Sequence, residues 1–247
     1  MERIILMILR SLHKVPGWWF RLCYYGSDEK FEKHSEEKRY NLLRELVTYV
    51  NRAGKVEVIS SGVENLPKEN GYMLFSNHQG MFDVLLFVQT HGRFLSVVFK
   101  KEVANVIFVK QVARMIAAKA MDREDVRQSM KVIKEVADEV KKGKIFLIFP
   151  EGTRSRQGNK MVEFKNGAFK SAVYAKCPIV PVAIIDSFKA FDTHSTAPMT
   201  AQIHYLEPIP YEAYKGMKTH EIGAMVKERI EEAIEKYAPV ENAAEEA

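Results

Sequence analysis

The chain has 247 residues, enough for one domain with a single sizeable core and a small appendage. Apolar residues make up 47% and charged residues 28%, which excludes a disordered, collagenous or many-spanning membrane protein. The formal charge of +5 is unevenly spread: residues 1–26 carry Arg3, Arg10, Lys14 and Arg21 against Glu2, whereas residues 239–247 carry only acidic charges. A basic front end and a basic body call for an anionic partner: a membrane surface, a nucleic acid or a phosphorylated substrate. Cys23 and Cys177 are too few for a disulfide scaffold, so a reducing compartment is the default.

The apolar run Ile4 to Leu9 is too short for a spanning helix, which needs about 20 residues, and Arg10, Lys14 and Arg21 interrupt every longer window. Nor does a small-residue cleavage site follow it. Both tryptophans, Trp18 and Trp19, come next, beside Phe20, Arg21, Tyr24 and Tyr25. Aromatic rings favour the water–lipid boundary, and neighbouring cations reach anionic headgroups. Residues 1–25 are therefore expected to form a helix, a break and a second aromatic-basic segment in the membrane interface, through Arg10, Lys14, Trp18, Trp19 and Arg21. The alternative is a hydrophobic helix packed on the core.

Ser27-Asp28-Glu29 predicts a helix start, and Tyr40, Leu43, Leu46, Val47 and Val50 share one face up to a stop at 51–54. Residues 1–54 thus form an expected helical appendage, and 55–247 a second unit. From there short strands alternate with helices. Strands are predicted at 55–60, 71–76, 94–99, 145–149, 178–185 and 202–206. Helices are predicted at 81–90, 102–118, 125–142 and 219–237. That alternation implies an α/β domain, a mixed and largely parallel sheet flanked by helices.

The chemistry lies where strands end. His78 and Asp83 follow a buried strand and are five residues apart. On one continuous helix they would diverge by roughly 140°. They meet only if His78 occupies a turn and Asp83 the first helical turn beyond it, with Gly80 easing the bend. A carboxylate on one imidazole nitrogen would leave the other as a base; a histidine that merely caps a helix is the bland alternative. After the second buried strand come Glu151, Gly152, Arg154 and Arg156, a tight turn followed by two guanidinium forks suited to phosphate. Open α/β sheets usually bind ligands at such strand ends. The seven histidines show no metal-ligand spacing, so no metal is expected. Cys177 has no neighbouring histidine and reads as an inert buried thiol.

Taken together, Asn77-His78-x-x-x-x-Asp83 and Phe149-Pro150-Glu151-Gly152-Thr153-Arg154 resemble the glycerolipid acyltransferase family, above all its 1-acyl-glycerol-3-phosphate (lysophosphatidate) acyltransferases. Lys100-Lys101-Glu102 with Ala120-Met121-Asp122-Arg123 is similar to a further block. Phe164-Lys165-Asn166-Gly167-Ala168 with Val180-Pro181-Val182-Ala183-Ile184 is similar to another. The likeness spans about residues 55 to 210, with the blocks in family order.

The resemblance implies acyl transfer from acyl-CoA or acyl-carrier protein to the 2-hydroxyl of lysophosphatidate, without an acyl-enzyme and without a cofactor. It implies His78 as base and Asp83 as its orienting partner. Lys100, Arg123 and Arg154 would hold the substrate phosphate, with Lys101 standing in for Lys100. Glu151 and Gly152 would shape the acceptor pocket, Glu151 holding an arginine or a glycerol hydroxyl. The implied location is peripheral or monotopic, on the cytoplasmic face of an anionic membrane; nucleic acid drops out as a partner. Acylation of glycerol-3-phosphate at its 1-position is the alternative within the family. A non-catalytic, lipid-binding membrane protein is the alternative of another class.

Overall fold

Strands that end in the candidate motifs form the middle of the sheet. In the computed structural model, which describes residues 2–27, 33–105 and 107–238, seven strands run in the order β1-β7-β6-β2-β5-β3-β4. They are β1 (Val56–Ser61), β2 (Met73–Ser76), β3 (Ser96–Lys100), β4 (Lys119–Met121), β5 (Phe146–Ile148), β6 (Ile179–Ile185) and β7 (Met199–Tyr205). Every neighbouring pair is parallel except β6 and β7, so the mixed, largely parallel α/β sheet is present as expected. The central strands β2, β5 and β6 are buried along their whole length, which is why their sequences are apolar without alternation.

The period-two pleat still sorts their side chains between two faces. Leu74, Leu147, Val180, Val182 and Ile184 join one buried cluster; Met73, Phe75, Phe146, Ile148, Ile179, Ala183 and Ile185 join another. The first cluster is covered by α1 (Glu2–Ser11), α2 (Val15–Tyr25), α3 (Glu36–Ala53) and α4 (Asp83–Thr90). The second is covered by α6 (Val126–Lys141), α7 (Lys170–Ala175) and α10 (Thr219–Tyr237), while α5 (Ile107–Met115), α8 (Phe188–Phe191) and α9 (Tyr211–Tyr214) are the other α-helices among the described residues.

Several expectations shift. The helix start placed at Ser27-Asp28-Glu29 moves to Ser35, whose Oγ accepts from the Lys38 N–H at 3.3 Å; residues 28–32 lie outside the described residues. The helix expected over 102–118 is a short 3₁₀ turn, Lys101–Asn105, followed by α5. A three-residue edge strand, β4, then pairs with β3, too short to leave an alternation signal.

The first helices share the core of the sheet. Met7, Trp18, Leu22, Tyr40, Leu43, Leu46 and Val47 belong to the same buried cluster as Leu74 and Val182, so the boundary expected at residue 54 does not separate two cores. Arg3 is buried and donates to the Gly54 carbonyl at 2.7 Å and to Ala197 at 2.9 Å. Arg10 donates to the Ala53 carbonyl at 3.3 Å. Arg10, which sequence reading assigned to the interface, therefore sits with Arg3 on the carbonyl end of α3, where a helix attracts positive charge. Trp18 also leaves the docking set: it is 8% exposed, with its ring edge-to-face against Tyr49 at 4.9 Å.

Candidate active site

The site is built where β6, β2 and β5 end side by side. Beyond β2 the chain bends through Asn77 to Gly80 and enters α4 at Asp83. The turn-then-helix arrangement brings His78 Nδ1 to 2.7 Å from Asp83 Oδ2. Asp83 is fully buried and meets donors on every side. Oδ2 accepts from the Gln79 N–H at 2.7 Å; the Gly80 N–H lies 3.1 Å from both oxygens; the Ser187 hydroxyl donates to Oδ1. Surrounded by donors, the carboxylate acts only as an acceptor, so His78 Nδ1 carries its proton and Nε2 presents a lone pair. The imidazole stacks on Phe149 at 4.2 Å between ring centres and stays 19% exposed, which fixes its plane and leaves an edge accessible.

The bend at Gly80 does not depend on a left-handed backbone, and among the described residues the only close neighbour of an added Cβ is a side-chain tip. Its φ is not among the positive values, and a Cβ there would lie 2.9 Å from Asp192 Oδ2. Gly152, by contrast, has φ +69°, a left-handed conformation that disfavours any side chain.

The two motifs are joined through backbone. Glu151 Oε1 accepts from the His78 N–H at 2.7 Å, and Oε2 from the Val162 N–H at 3.0 Å. The Ser155 N–H donates to the His78 carbonyl at 2.8 Å. Glu151 is buried, and where sequence reading gave it an arginine or a glycerol hydroxyl, its oxygens here meet backbone: Oε1 holds the His78 turn and Oε2 the loop at Val162. Burial pushes its carboxyl above the ordinary range, and the two N–H donors oppose that rise.

The cations surround the same loop. Arg123 donates to the Gly152 carbonyl. Burial lowers its proton affinity, with Glu102 opposing. Arg154 Nη1 is 3.5 Å from Asp192 Oδ1, at the end of α8. Lys100 is half exposed at the end of β3 and pairs with Glu102 at 3.4 Å. Lys101 pairs with Asp122. The structure thus gathers His78, Asp83, Glu151, Gly152, Arg123 and Arg154 around one loop pair, with Lys100 at the neighbouring strand end.

Sequence reading missed three residues of this scaffold. Asn77 binds the Ile184 backbone twice, donating to its carbonyl at 2.8 Å and accepting from its N–H at 2.7 Å. Asn159 accepts from the Asp186 N–H at 2.9 Å, and Ser187 holds Asp83. Only Asn77 carried a signal, its place beside His78. Cys177 is buried and its thiol is pushed up to about 12 by burial, which suits an inert side chain. Two open grooves of about 590 and 610 Å³ share Arg52 and Gln89 and include none of the residues around His78. Among the described residues no group of three His, Cys, Asp or Glu side chains is arranged to hold a metal ion.

The acyltransferase family model matches residues 32–185. The 1-acyl-sn-glycerol-3-phosphate acyltransferase alpha of Ovis aries is 27% identical over 213 residues, covering 85% of this chain and 72% of the relative. The human protein of that name is 28% identical over 201 residues, covering 79% and 70%. The 1-acyl-sn-glycerol-3-phosphate acyltransferase of Helicobacter pylori is 28% identical over 121 residues, covering 49% and 51%. In fold, the chain is similar to the crystal structure of the 1-acyl-sn-glycerophosphate (LPA) acyltransferase PlsC from Thermotoga maritima. The TM-score is 0.70 at 21% identity, covering 96% of this chain and 99% of that one.

Proposed function

The chain belongs to the acyltransferase family, and from that premise we propose that it acylates the 2-hydroxyl of 1-acyl-glycerol-3-phosphate, making phosphatidate. The observation that carries this reading is His78, bonded to Asp83 through Nδ1, so that Nε2 is left as the base, on a ring that is 19% exposed. Nε2 takes the hydroxyl proton as the oxygen attacks the acyl thioester carbonyl. The new C–O bond forms, the tetrahedral centre collapses, the C–S bond breaks, and the imidazolium returns the proton to the leaving thiolate. Asp83 holds the ring and balances its transient charge. The attacking hydroxyl comes from the substrate, and Cys177, buried and poorly ionised, is no rival nucleophile. The donor is acyl-CoA or acyl-carrier protein.

Arg154, Arg123 and Lys100 receive the phosphate. Arg154 exchanges Asp192 for the stronger dianion, and Gly152 gives the loop the close turn that lets phosphate approach. The face presented by the first two helical segments docks on anionic lipid. Ile5, Ile8, Leu9 and Leu12 of the first helical segment, and Val15, Trp19, Phe20 and Tyr24 of the second, are exposed apolar side chains beside Lys14 and Arg21. Among the described residues no helix is long and apolar enough to cross a membrane, so the attachment is peripheral or monotopic. Two unpaired cysteines suit its cytoplasmic face.

The test crosses two acceptors, lysophosphatidate and glycerol-3-phosphate, with both donor types, in wild type and His78→Ala. Turnover should require lysophosphatidate and fall about 10²–10⁴-fold in the variant. Preference for glycerol-3-phosphate would select the 1-position reaction instead. Substantial turnover without His78 would remove the dyad.

A further inference from the structure

Asp83 has two oxygens, and only one faces His78. The other is occupied by a residue 104 positions away, Ser187, just beyond the end of β6. Ser187, Gln79 and Asp83 are all buried, so each polar atom must be satisfied inside the protein. The Ser187 N–H donates to Gln79 Oε1 at 2.9 Å, and its hydroxyl lies 3.1 Å from the same oxygen and closer to Asp83 Oδ1. One hydroxyl has one proton. The charged and nearer acceptor takes it, so the hydroxyl belongs to Asp83 and the backbone N–H to Gln79. Gln79 is fixed in turn, its Nε2 donating to the Ile184 carbonyl at 3.0 Å and to Asn159 Oδ1 at 2.8 Å. The chain reaches this position through Asp186, whose φ of +61° is a left-handed conformation uncommon outside glycine. Backbone in that state is retained where its surroundings over-determine it, and here it turns Ser187 towards Asp83.

We propose that Ser187 is a positioning residue for the dyad: by holding Asp83 Oδ1 it commits Oδ2 to the imidazole and fixes the ring's tautomer and direction. The proposal rests on the reading of His78 and Asp83 as the reacting pair. Without the hydroxyl, the carboxylate can pivot and share its charge differently with the ring. Asp83 and Glu151 both face His78, and a change at Ser187 reaches the ring only through Asp83.

Ser187→Ala, Ser187→Thr and Ser187→Cys separate positioning from packing. Cysteine keeps the volume and weakens the donor; threonine keeps the hydroxyl. In Ser187→Ala, and in Ser187→Cys should the alanine variant fail to fold, kcat should fall about ten- to hundredfold with KM for lysophosphatidate within about twofold. Loss of a donor leaves more negative charge facing the ring, so the acid limb of the pH profile should move to higher pH. The low-field proton on His78 Nδ1, assigned by its absence from His78→Ala, should shift in the same variants. Threonine should restore rate and profile. A cysteine variant with wild-type kcat, pH profile and proton resonance, alongside an inactive His78→Ala, overturns this role and leaves the dyad standing. An active His78→Ala overturns both.

Discussion

His91 lies buried between Tyr72 and Arg93. Its Nδ1 donates to the Arg93 carbonyl at 2.9 Å, so Nε2 accepts from the Tyr72 hydroxyl, also at 2.9 Å, and the ring is neutral. Burial lowers its pKa from 6.5 to about 4. The unfolded chain therefore takes up this proton near pH 6.5, the folded chain only near pH 4. Stability from His91 is complete above pH 6.5, falls as pH drops between those values, and changes no further below. The loss amounts to ~3 kcal/mol. Denaturant melts of wild type and His91→Gln at pH 7 and 4.5 check it: the variant should lose less stability over that interval. At this scale spacing could say that His78 and Asp83 meet only across a turn, and the family resemblance supplied their roles as the reacting pair. Spacing could not identify Ser187 or the true partners of Glu151. Those contacts cross 104 and 73 positions and depend on which strands lie side by side.

The start of α6 shows how one element supports the site. Asp125 caps it, Oδ1 accepting from the Arg127 N–H at 2.9 Å and from the Gln128 N–H at 3.1 Å. From that first turn Gln128 accepts from the Asp122 N–H at 2.8 Å, and the Ser129 hydroxyl donates to the Asp122 carbonyl at 2.6 Å. The helix end thus holds the segment that carries Arg123. Asp125→Ala should cost about 1 kcal/mol in a urea melt. It should also raise KM for lysophosphatidate while leaving kcat close to wild type. A fall confined to kcat would place Arg123 outside the phosphate site. Long elements such as this helix and α10 were legible because their apolar residues repeat on one face. The edge strand β4 was not, since three half-buried residues show no period.

For the whole molecule, the proposed docking face is part of the fold, which changes how it can be tested. Removing residues 1–25 would take Met7, Trp18 and Leu22 out of the core as well as any lipid contact. Substitution of exposed residues separates the two. Leu9 is 64% exposed and Phe20 70%, so Leu9→Ser with Phe20→Ser should leave the melting temperature close to wild type. Each loses about 1.5–3 kcal/mol of apolar transfer on a bilayer, enough to weaken co-sedimentation with anionic liposomes at least tenfold. Unchanged sedimentation would put the membrane contact elsewhere.

The distribution of the site along the chain sets an order of events during synthesis. Residues 2–25, which carry the exposed apolar face, leave the ribosome first; Glu151 and Ser187, which hold His78 and Asp83, follow much later. At roughly 5–20 residues per second the interval is about 6–30 seconds. A nascent chain could meet a bilayer throughout that time with its base still unclamped, so if the proposed docking face binds at that stage, attachment precedes competence.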